Sequence, residues 1–519
     1  MKLATALQLR ELDREAIQKR GIPALELMEE AARAVQEAVL ELLPGKPAQG
    51  QAAVFCGSGN NGGDGIACAR MLFLKGVRVR AFLVGSYEKL TPDALAETGL
   101  LSECGVELEP FLPEDEEQKR FISRCHVLVD ALFGVGLSRE IAPDSTFAAA
   151  VSLMNRAPGR VVAADIASGV SADSGCVLGT SVKADRTITF TLPKIGQFVG
   201  QGAESSGTVQ VVSIGIPQDM VRGMRCPVQT IERSLVLEAL PKRKPDGHKG
   251  TFGKLLVIGG SRSFTGAPAL TASAAVRSGC GLVYLGVPEG IWAVEAAKCS
   301  SAMPFPLQEI ESNGMLSENA LQEIRQRLHA CDVLALGPGL GRSADTEALV
   351  IELLRSADIP VVLDADGINA LEGHIDVLDA RRSRTTILTP HDGEFARLGG
   401  DLSGGDRLSA AKAFAAAHGC ILVLKGHRTI IAVPEGNALV NTTGNSGLAK
   451  GGSGDVLTGI IASLLCQGAT PVQAAVAGVW LHGCAGDLAA EQLTEYAMTP
   501  EDVIAFLPAA FRNVLEQGR

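Results

Sequence analysis

The sequence predicts an α/β protein built from two different parallel-sheet domains, and three observations carry that expectation. Short β-branched runs alternate with helical stretches along most of the chain. Glycine clusters and acidic residues stand where those runs end, and the alternation lapses once, near residues 218–228, before a second series starts. The 519 residues amount to about three domains at roughly 150 residues each, or two larger ones.

The first series opens with a helix. Leu25, Met28, Ala32, Val35, Val39 and Leu42 recur at helical spacing behind Pro23, a residue suited to a first turn, so a helix is expected over 23–43. Strands follow at 53–56, 77–84, 127–130, 161–165, 187–190 and 209–214. A short helix at 235–240 and the basic, proline-flanked stretch 241–245 separate this series from the next, whose strands fall at 255–259, 282–287, 333–337, 361–364, 386–389 and 421–425. No repeat relates the halves, and the expected domains are 1–224 and 225–519.

Composition narrows the function. Apolar residues are 46% and charged residues 20%, which excludes a disordered chain. With Trp 2 and Tyr 3 there are few platforms for stacking bases, and a net charge of -11 disfavours a phosphate backbone, so no nucleic-acid partner is expected. No apolar run reaches the length of a membrane span, and residues 1–20, which include Arg10, Asp13, Arg14, Glu15 and Lys19, lack the apolar core of a signal peptide. The 12 cysteines occur singly, with no CxxC pair, and read as reduced thiols of a cytoplasmic protein. Glycine is the outlier, with 59 residues.

In the first half, the strand at 53–56 runs into Gly57-Ser58-Gly59-Asn60-Asn61-Gly62-Gly63-Asp64-Gly65 and then a helix. Such a turn can close backbone N–H groups around a phosphate at the positive helix end, or it can be only a tight turn. The amides and Asp64 add groups able to hold a ribose or a metal ion. Asp130 and Asp165 end two further strands, the second followed by Ser168. Each acid alone reads equally well as a helix cap, but parallel strands deliver their C-terminal ends to one crevice. Lys194 is a fourth polar residue at a strand end.

The series 59–65, 130–136 and 165–169 resembles the NAD(P)H-hydrate epimerase family over about residues 1–220. The resemblance implies that Asn60, Asn61, Gly62, Gly63 and Asp64 hold the hydrated dinucleotide. It assigns the same task to Gly134, Val135, Gly136, Leu137, Ser138, Arg139 and Glu140, and to Asp165. A potassium ion is implied at Asn61, Asp130 and Ser168. Asp165 is the expected acid–base residue, with Lys194 as a catalytic partner on the strength of its position.

In the second half the informative stretch is 443–457, where Gly451, Gly452 and Gly454 free backbone N–H groups to face one anion and a helix starting near Asp455 adds its dipole. An anion hole with an acid on its rim fits phosphoryl transfer to a hydroxyl. Together with the strand-end motifs 337–341, 389–394 and 425–429, this stretch resembles the ADP- or ATP-dependent NAD(P)H-hydrate dehydratases of the ribokinase-like superfamily over about 228–519. The resemblance implies that Ala267, Gly339, His391 and Asp455 contact the hydrate, with Asp455 as catalytic base. It also implies that Lys425, Gly426, His427, Arg428, Thr429 and Gly454 contact the nucleotide, with Mg2+ accompanying ADP.

The fold implied is an N-terminal Rossmann-like parallel-sheet domain fused to a C-terminal ribokinase-like α/β domain. The function implied is repair of NADH and NADPH carrying a hydroxyl at C6 of the nicotinamide ring. One half would interconvert the R and S hydrates, and the other would dehydrate the S hydrate with ADP, giving NAD(P)H, AMP and phosphate. The ligands would be these hydrates (NADHX and NADPHX) and ADP, and a homo-oligomer is expected. The alternative is a vitamin or sugar kinase of the same superfamily carrying a non-enzymatic interaction module, a reading that leaves the acids of the first half unused.

Overall fold

A computed structural model describes residues 1–516. The chain divides into two compact units, Lys2–Val228 and a second running from Gln229.

The first unit is wound on a seven-stranded sheet. Its strands are β1 (Gln51–Cys56), β2 (Arg78–Leu83), β3 (Leu108–Pro110), β4 (Val127–Ala131), β5 (Arg160–Ala164), β6 (Arg186–Phe190) and β7 (Thr208–Val212), in the order β3-β2-β1-β4-β5-β6-β7. Every neighbouring pair is parallel, as expected where crossover helices cover both faces. The helices Ala24–Leu42 and Asn60–Leu74 bury Val35, Val39, Ile66 and Leu72 on one face. Phe55, Phe82 and Leu128 belong to the core on the other. An additional helix, Ala6–Arg20, is absent from the sequence reading. It buries only Leu9, Leu12 and Ala16, a stripe too thin to stand out among its charged residues.

The second unit is wound on β8 (Lys254–Ile258), β9 (Leu282–Pro288), β10 (Met303–Leu307), β11 (Val333–Leu336), β12 (Val361–Leu363), β13 (Thr386–Leu388), β14 (Ile421–Leu424), β15 (Ile430–Ala432) and β16 (Ala438–Val440). They lie in the order β16-β15-β14-β13-β12-β11-β8-β9-β10. Pairing is parallel from β10 to β14, and antiparallel where β15 and β16 turn back. Sequence reading lacked β10 because its MPFPL holds two prolines, which only an edge strand tolerates, and lacked β15 and β16 because they are three residues each. The helix Ser453–Cys466 is buried along nearly its whole length against the helices Gly266–Arg277 and Pro471–Ala497. Among the described residues, no helix is long and apolar enough to cross a membrane.

Candidate active sites

In the first unit, the ends of six strands, β1, β2, β4, β5, β6 and β7, converge on a cavity of about 720 Å³. Asn60, Asn61, Asp64, Gly134, Val135, Gly136, Leu137, Arg139, Asp165 and Lys194 line it, joined by Arg10 and Asp13 from the unanticipated helix. Four of the residues expected to hold substrate are not in the lining. Ser138 and Glu140 are exposed beyond it. Gly62 and Gly63 are buried in packing: a Cβ on Gly62 would stand 1.8 Å from the Gly57 carbonyl oxygen, and one on Gly63 would stand 2.6 Å from Met28 Cε. Gly62 lets the helix Asn60–Leu74 start hard against the end of β1, and Gly63 makes room for Met28 of the helix Ala24–Leu42.

Lys194 is 1% exposed and donates to Asp165 Oδ1 and, at 2.7 Å, to Thr189 Oγ1. Gln197 Nε2 donates to the Asp165 carbonyl at 2.9 Å. These bonds hold Asp165 at φ 67 and accompany Thr191 at φ 63, conformations that side-chain-bearing residues adopt only when their surroundings impose them. A Cβ on Gly134 would lie 3.2 Å from Asp165 Oδ2 and 3.3 Å from Asn61 Oδ1, so the bare backbone keeps that corner open. Burial, then the Asp165 charge, pushes the Asp13 carboxyl up to about 6 against the opposing Lys194. Burial, Asp165 and Asp13 push Asp64 well above the carboxylate range. Asn61 Nδ2 and Thr191 Oγ1 are buried without a hydrogen-bond partner, polar groups on the cavity wall that a ligand would satisfy.

Asp130 and Ser168 are buried outside that lining. Asp130 accepts from Ser168 N at 2.7 Å, Ser168 Oγ at 2.6 Å and Leu132 N at 3.3 Å. Phe133 N in turn donates to Ser168 Oγ at 2.9 Å. Burial raises the Asp130 carboxyl to about 6 although these bonds oppose it. A buried carboxylate beside a hydroxyl oxygen is a donor set that suits a hard cation.

In the second unit the groups gather at the ends of β12, β13 and β14 and at the start of the helix Ser453–Cys466. Lys425 Nζ donates to Asp364 Oδ1 at 2.9 Å and lies 3.9 Å from Glu394 Oε2, while Thr458 Oγ1 donates to Asp364 Oδ2 at 2.8 Å. Burial works against the Lys425 charge, but Asp364 and Glu394 prevail and hold its pKa above the ordinary value. Asp455 stands in the first turn of its helix. Burial, then the Asp364 charge, raises its carboxyl to about 7, with Lys425 opposing. Thr271 Oγ1 donates to the carbonyls of both Asp455 and Ala267 at 3.1 Å, which ties the first turn of the helix Gly266–Arg277, where Ala267 sits, to the start of the Asp455 helix. A Cβ on Gly339 would stand 3.1 Å from Ala267 Cβ. His391 Nδ1 accepts from Gly393 N at 3.0 Å and Glu394 N at 3.3 Å, capping the helix Asp392–Arg397.

Gly451 and Gly454 differ from Gly57, Gly62 and Gly63 of the first unit, and Gly451 resembles Gly59, where a Cβ would also meet nothing within 4 Å. A Cβ on Gly451 would meet nothing within 4 Å, and one on Gly454 would lie 3.1 Å from Lys425 Nζ and 3.6 Å from Asp364 Oδ2. Gly452 has φ 103 at the helix N-cap, a conformation that favours glycine. The segment 425–429 is a turn in which Gly426 and His427 are exposed. Thr429 Oγ1 donates to the Gly426 carbonyl at 3.2 Å, and Arg428, at φ 62, donates to the Thr442 carbonyl at 2.9 Å.

With this geometry in place, the relatives become informative. The model of the YjeF-related protein N-terminus matches residues 24–196, and that of NAD(P)H-hydrate dehydratase matches 255–509. The bifunctional NAD(P)H-hydrate repair enzyme Nnr of Moorella thermoacetica is 41% identical over 522 residues, covering 100% of this chain and 98% of its own. This chain belongs to the family of bifunctional NAD(P)H-hydrate repair enzymes. The Nnr of Thermofilum pendens is 37% identical, covering 99% of this chain and 97% of its own. A crystal structure of the ADP/ATP-dependent NAD(P)H-hydrate dehydratase of Bacillus subtilis with ATP and Mg2+ is 30% identical, covering 55% of this chain and 99% of that one, with a TM-score of 0.47.

Sequence reasoning missed Asp13, Asp364, Glu394 and Thr458 as members of these sites. Asp364 was legible as the end of a strand, the same signal that singled out Asp130 and Asp165. Asp13 had no signal beyond an unremarkable charged helix.

Proposed function

We propose that the chain repairs hydrated NADH and NADPH, with residues 1–224 interconverting the R and S hydrates and residues 225–519 dehydrating the S hydrate at the expense of ADP. The observation that carries this reading is Asp455, a carboxyl raised to about 7 on the rim of a glycine loop at a helix N-terminus. A base tuned near neutrality accepts a hydroxyl proton efficiently, and free N–H groups at a helix end stabilise charge on a phosphoryl group in transfer.

In the dehydratase step, Asp455 takes the proton of the C6 hydroxyl as its oxygen attacks the β-phosphorus of ADP, and AMP leaves. The loop 451–454 receives the charge, and Lys425, positioned by Asp364, adds a cation beside Gly454. The ring-nitrogen lone pair then expels phosphate from C6 to leave an N1=C6 iminium, and loss of a proton from C5 gives NAD(P)H. The placement of Ala267 and Gly339 beside Asp455 supports their assignment to the hydrate, as does His391 at the neighbouring helix cap. The turn of Lys425, Gly426, His427, Arg428 and Thr429 beside Gly454 supports its assignment to the nucleotide. Magnesium would supply charge neutralisation at the phosphates when bound, and Glu394, a carboxylate facing Lys425 besides its partner Asp364, would be the group to hold it, which leaves Asp455 free to act as base.

In the epimerase step, Asp165 is the acid–base residue and Lys194 keeps it oriented. Asn60, Asn61 and Asp64, with Gly134, Val135, Gly136, Leu137 and Arg139 of the following loop, hold the hydrate. Potassium, which would supply positive potential when bound, would be held by Asp130 and Ser168 with Asn61; the burial of the Asp130 carboxylate beside the Ser168 hydroxyl supports this. The free cysteines support a reducing cytoplasmic setting. Trp292, Val294 and Met303, exposed on and beside the edge strand β10, support self-association. A vitamin or sugar kinase would need none of the carboxyl cluster of the first unit.

The test is stoichiometric: with mixed hydrate epimers and ADP, chromatography should find NADH, AMP and phosphate formed in equal amounts. Consumption of ADP without NADH would reject the reading.

A further inference from the structure

The cavity of the first unit holds an acid that the motifs do not account for. Asp13 precedes the matched segment 24–196. It shares one face of the helix Ala6–Arg20 with Leu9, Arg10 and Ile17, all of which line the cavity. That helix is fastened to the site. Thr5 and Gln8 form a capping box at its start. Ala4 N donates to the Pro193 carbonyl at 2.9 Å, and Ile195 N to the Ala4 carbonyl at 3.2 Å, which joins the segment before the helix to the one that holds Lys194. Arg10 donates to the Val135 carbonyl at 2.8 Å. Asp13 is therefore held facing Asp165, Lys194 and Asp64, groups supplied by three other strand ends.

We infer that Asp13 is the second acid–base group of hydrate epimerisation, the partner of Asp165 across the cavity; the inference rests on the epimerase reading above. Inverting C6 requires a bond to that carbon to break and re-form on the other face. Both the hydroxyl and the ring nitrogen are attached to it, so opening the ring consumes nothing. Asp165 takes the hydroxyl proton, the oxygen lone pair forms a C=O bond, the C6–N1 bond breaks, and Asp13 gives its proton to the departing nitrogen. After rotation about C5–C6, N1 attacks the opposite face of the aldehyde, its proton returns to Asp13, and the oxygen recovers its own from Asp165.

The charge arrangement suits this division. Three carboxylates face one ammonium, and Lys194 is bonded to Asp165. That leaves Asp13 and Asp64 without a bonded cation of their own, and burial raises both carboxyls. Environments that push paired acids apart mark out an acid and a base. Of the two raised groups, Asp13 is raised only to about 6, so its proton is transferable, whereas Asp64 is held well above that range and keeps its own.

The experiment follows one purified hydrate epimer without ADP, with the full chain, by NMR of the R and S forms. Asp13→Asn should lower kcat for epimerisation by at least about 100-fold with KM changed by less than about threefold. It should also remove the fall in kcat that the wild type shows as pH rises through about 6 and the acid form is lost. Asp13→Glu should restore part of the rate, and thermal unfolding of both variants should match the wild type. An Asp13→Asn enzyme with more than a tenth of the wild-type kcat and the same pH profile overturns the inference. So does a loss confined to KM, or a loss accompanied by unfolding in both variants. A wild type that does not exchange the epimers overturns the epimerase reading instead.

Discussion

Each unit pairs a lysine that follows one strand with a buried aspartate that follows another, from neighbouring strands in the first unit and from strands separated by β13 in the second, and the two units surround the pair differently. In each, a lysine at the end of a strand is bonded to a buried aspartate, Lys194 to Asp165 and Lys425 to Asp364, and a further carboxyl facing that pair is raised, Asp13 to about 6 and Asp455 to about 7. The difference lies in the glycines. In the first unit, a Cβ on Gly57 or Gly62 would meet backbone oxygen at 2.0 and 1.8 Å, so these glycines serve close packing and the cavity is left with carboxyl groups for moving protons. In the second, Gly451 faces open space and Gly454 faces Lys425, so N–H groups at the helix end remain available to an anion. A glycine-rich motif after a strand therefore does not by itself specify phosphate chemistry, since glycines such as Gly57 and Gly62 are required by close packing alone.

The largest effect that would break this comparison is on Asp455. Asp455→Asn should lower single-turnover dehydration of the S hydrate by about 10²–10⁴ while hydrate binding persists. In the wild type the rate should rise with pH through about 7, because the base acts in its ionised form. A loss below about tenfold would assign the base elsewhere.

Next come the lysines. Lys194→Met leaves Asp165 buried without its partner and should destabilise the first unit by about 3–5 kcal/mol, and Lys425→Met should do the same to the second through Asp364. Calorimetry should show each variant shifting a different part of the unfolding transition.

The glycines sharpen the contrast at smaller magnitude. Gly57→Ala forces a backbone shift, costing about 1–3 kcal/mol, whereas Gly451→Ala should change stability by less than about 0.5 kcal/mol. Denaturant titration measures both. The smallest effect expected is that of the cation: replacing potassium with a large organic cation should slow epimerisation alone. Equal slowing of dehydration of the pure S hydrate would place the ion elsewhere.

Much of this was legible in the sequence because parallel sheets concentrate function at strand ends. Asp130, Asp165 and Lys194 could be marked as strand-end polar groups from the pattern alone and Asp455 from the glycine loop, while Lys425 stood in a strand-end motif whose role came with the family resemblance. What escaped were partners supplied by other elements. Asp13 comes from a helix whose only periodic signal is a thin apolar stripe, and Thr458 lies inside an apolar helix, where a hydroxyl reads as packing. Gly62 and Gly63 stand in a phosphate-loop pattern, yet their missing side chains are required by Gly57 and Met28, a distinction that depends on three-dimensional contacts. Lys425 reads as a nucleotide ligand, and its bond to Asp364 crosses 61 residues of sequence.

The central claim is that two separate acid–base sites act in succession on one metabolite, and the progress of NADH release from a mixture of both hydrate epimers with excess ADP tests it most directly. The wild type should convert the whole mixture in a single phase. Asp165→Asn should give two phases, a fast one equal to the S fraction and a slow one at the rate of spontaneous epimerisation, and Asp455→Asn should give neither. A single fast phase to completion from Asp165→Asn, with spontaneous exchange measured to be slower, would contradict the account.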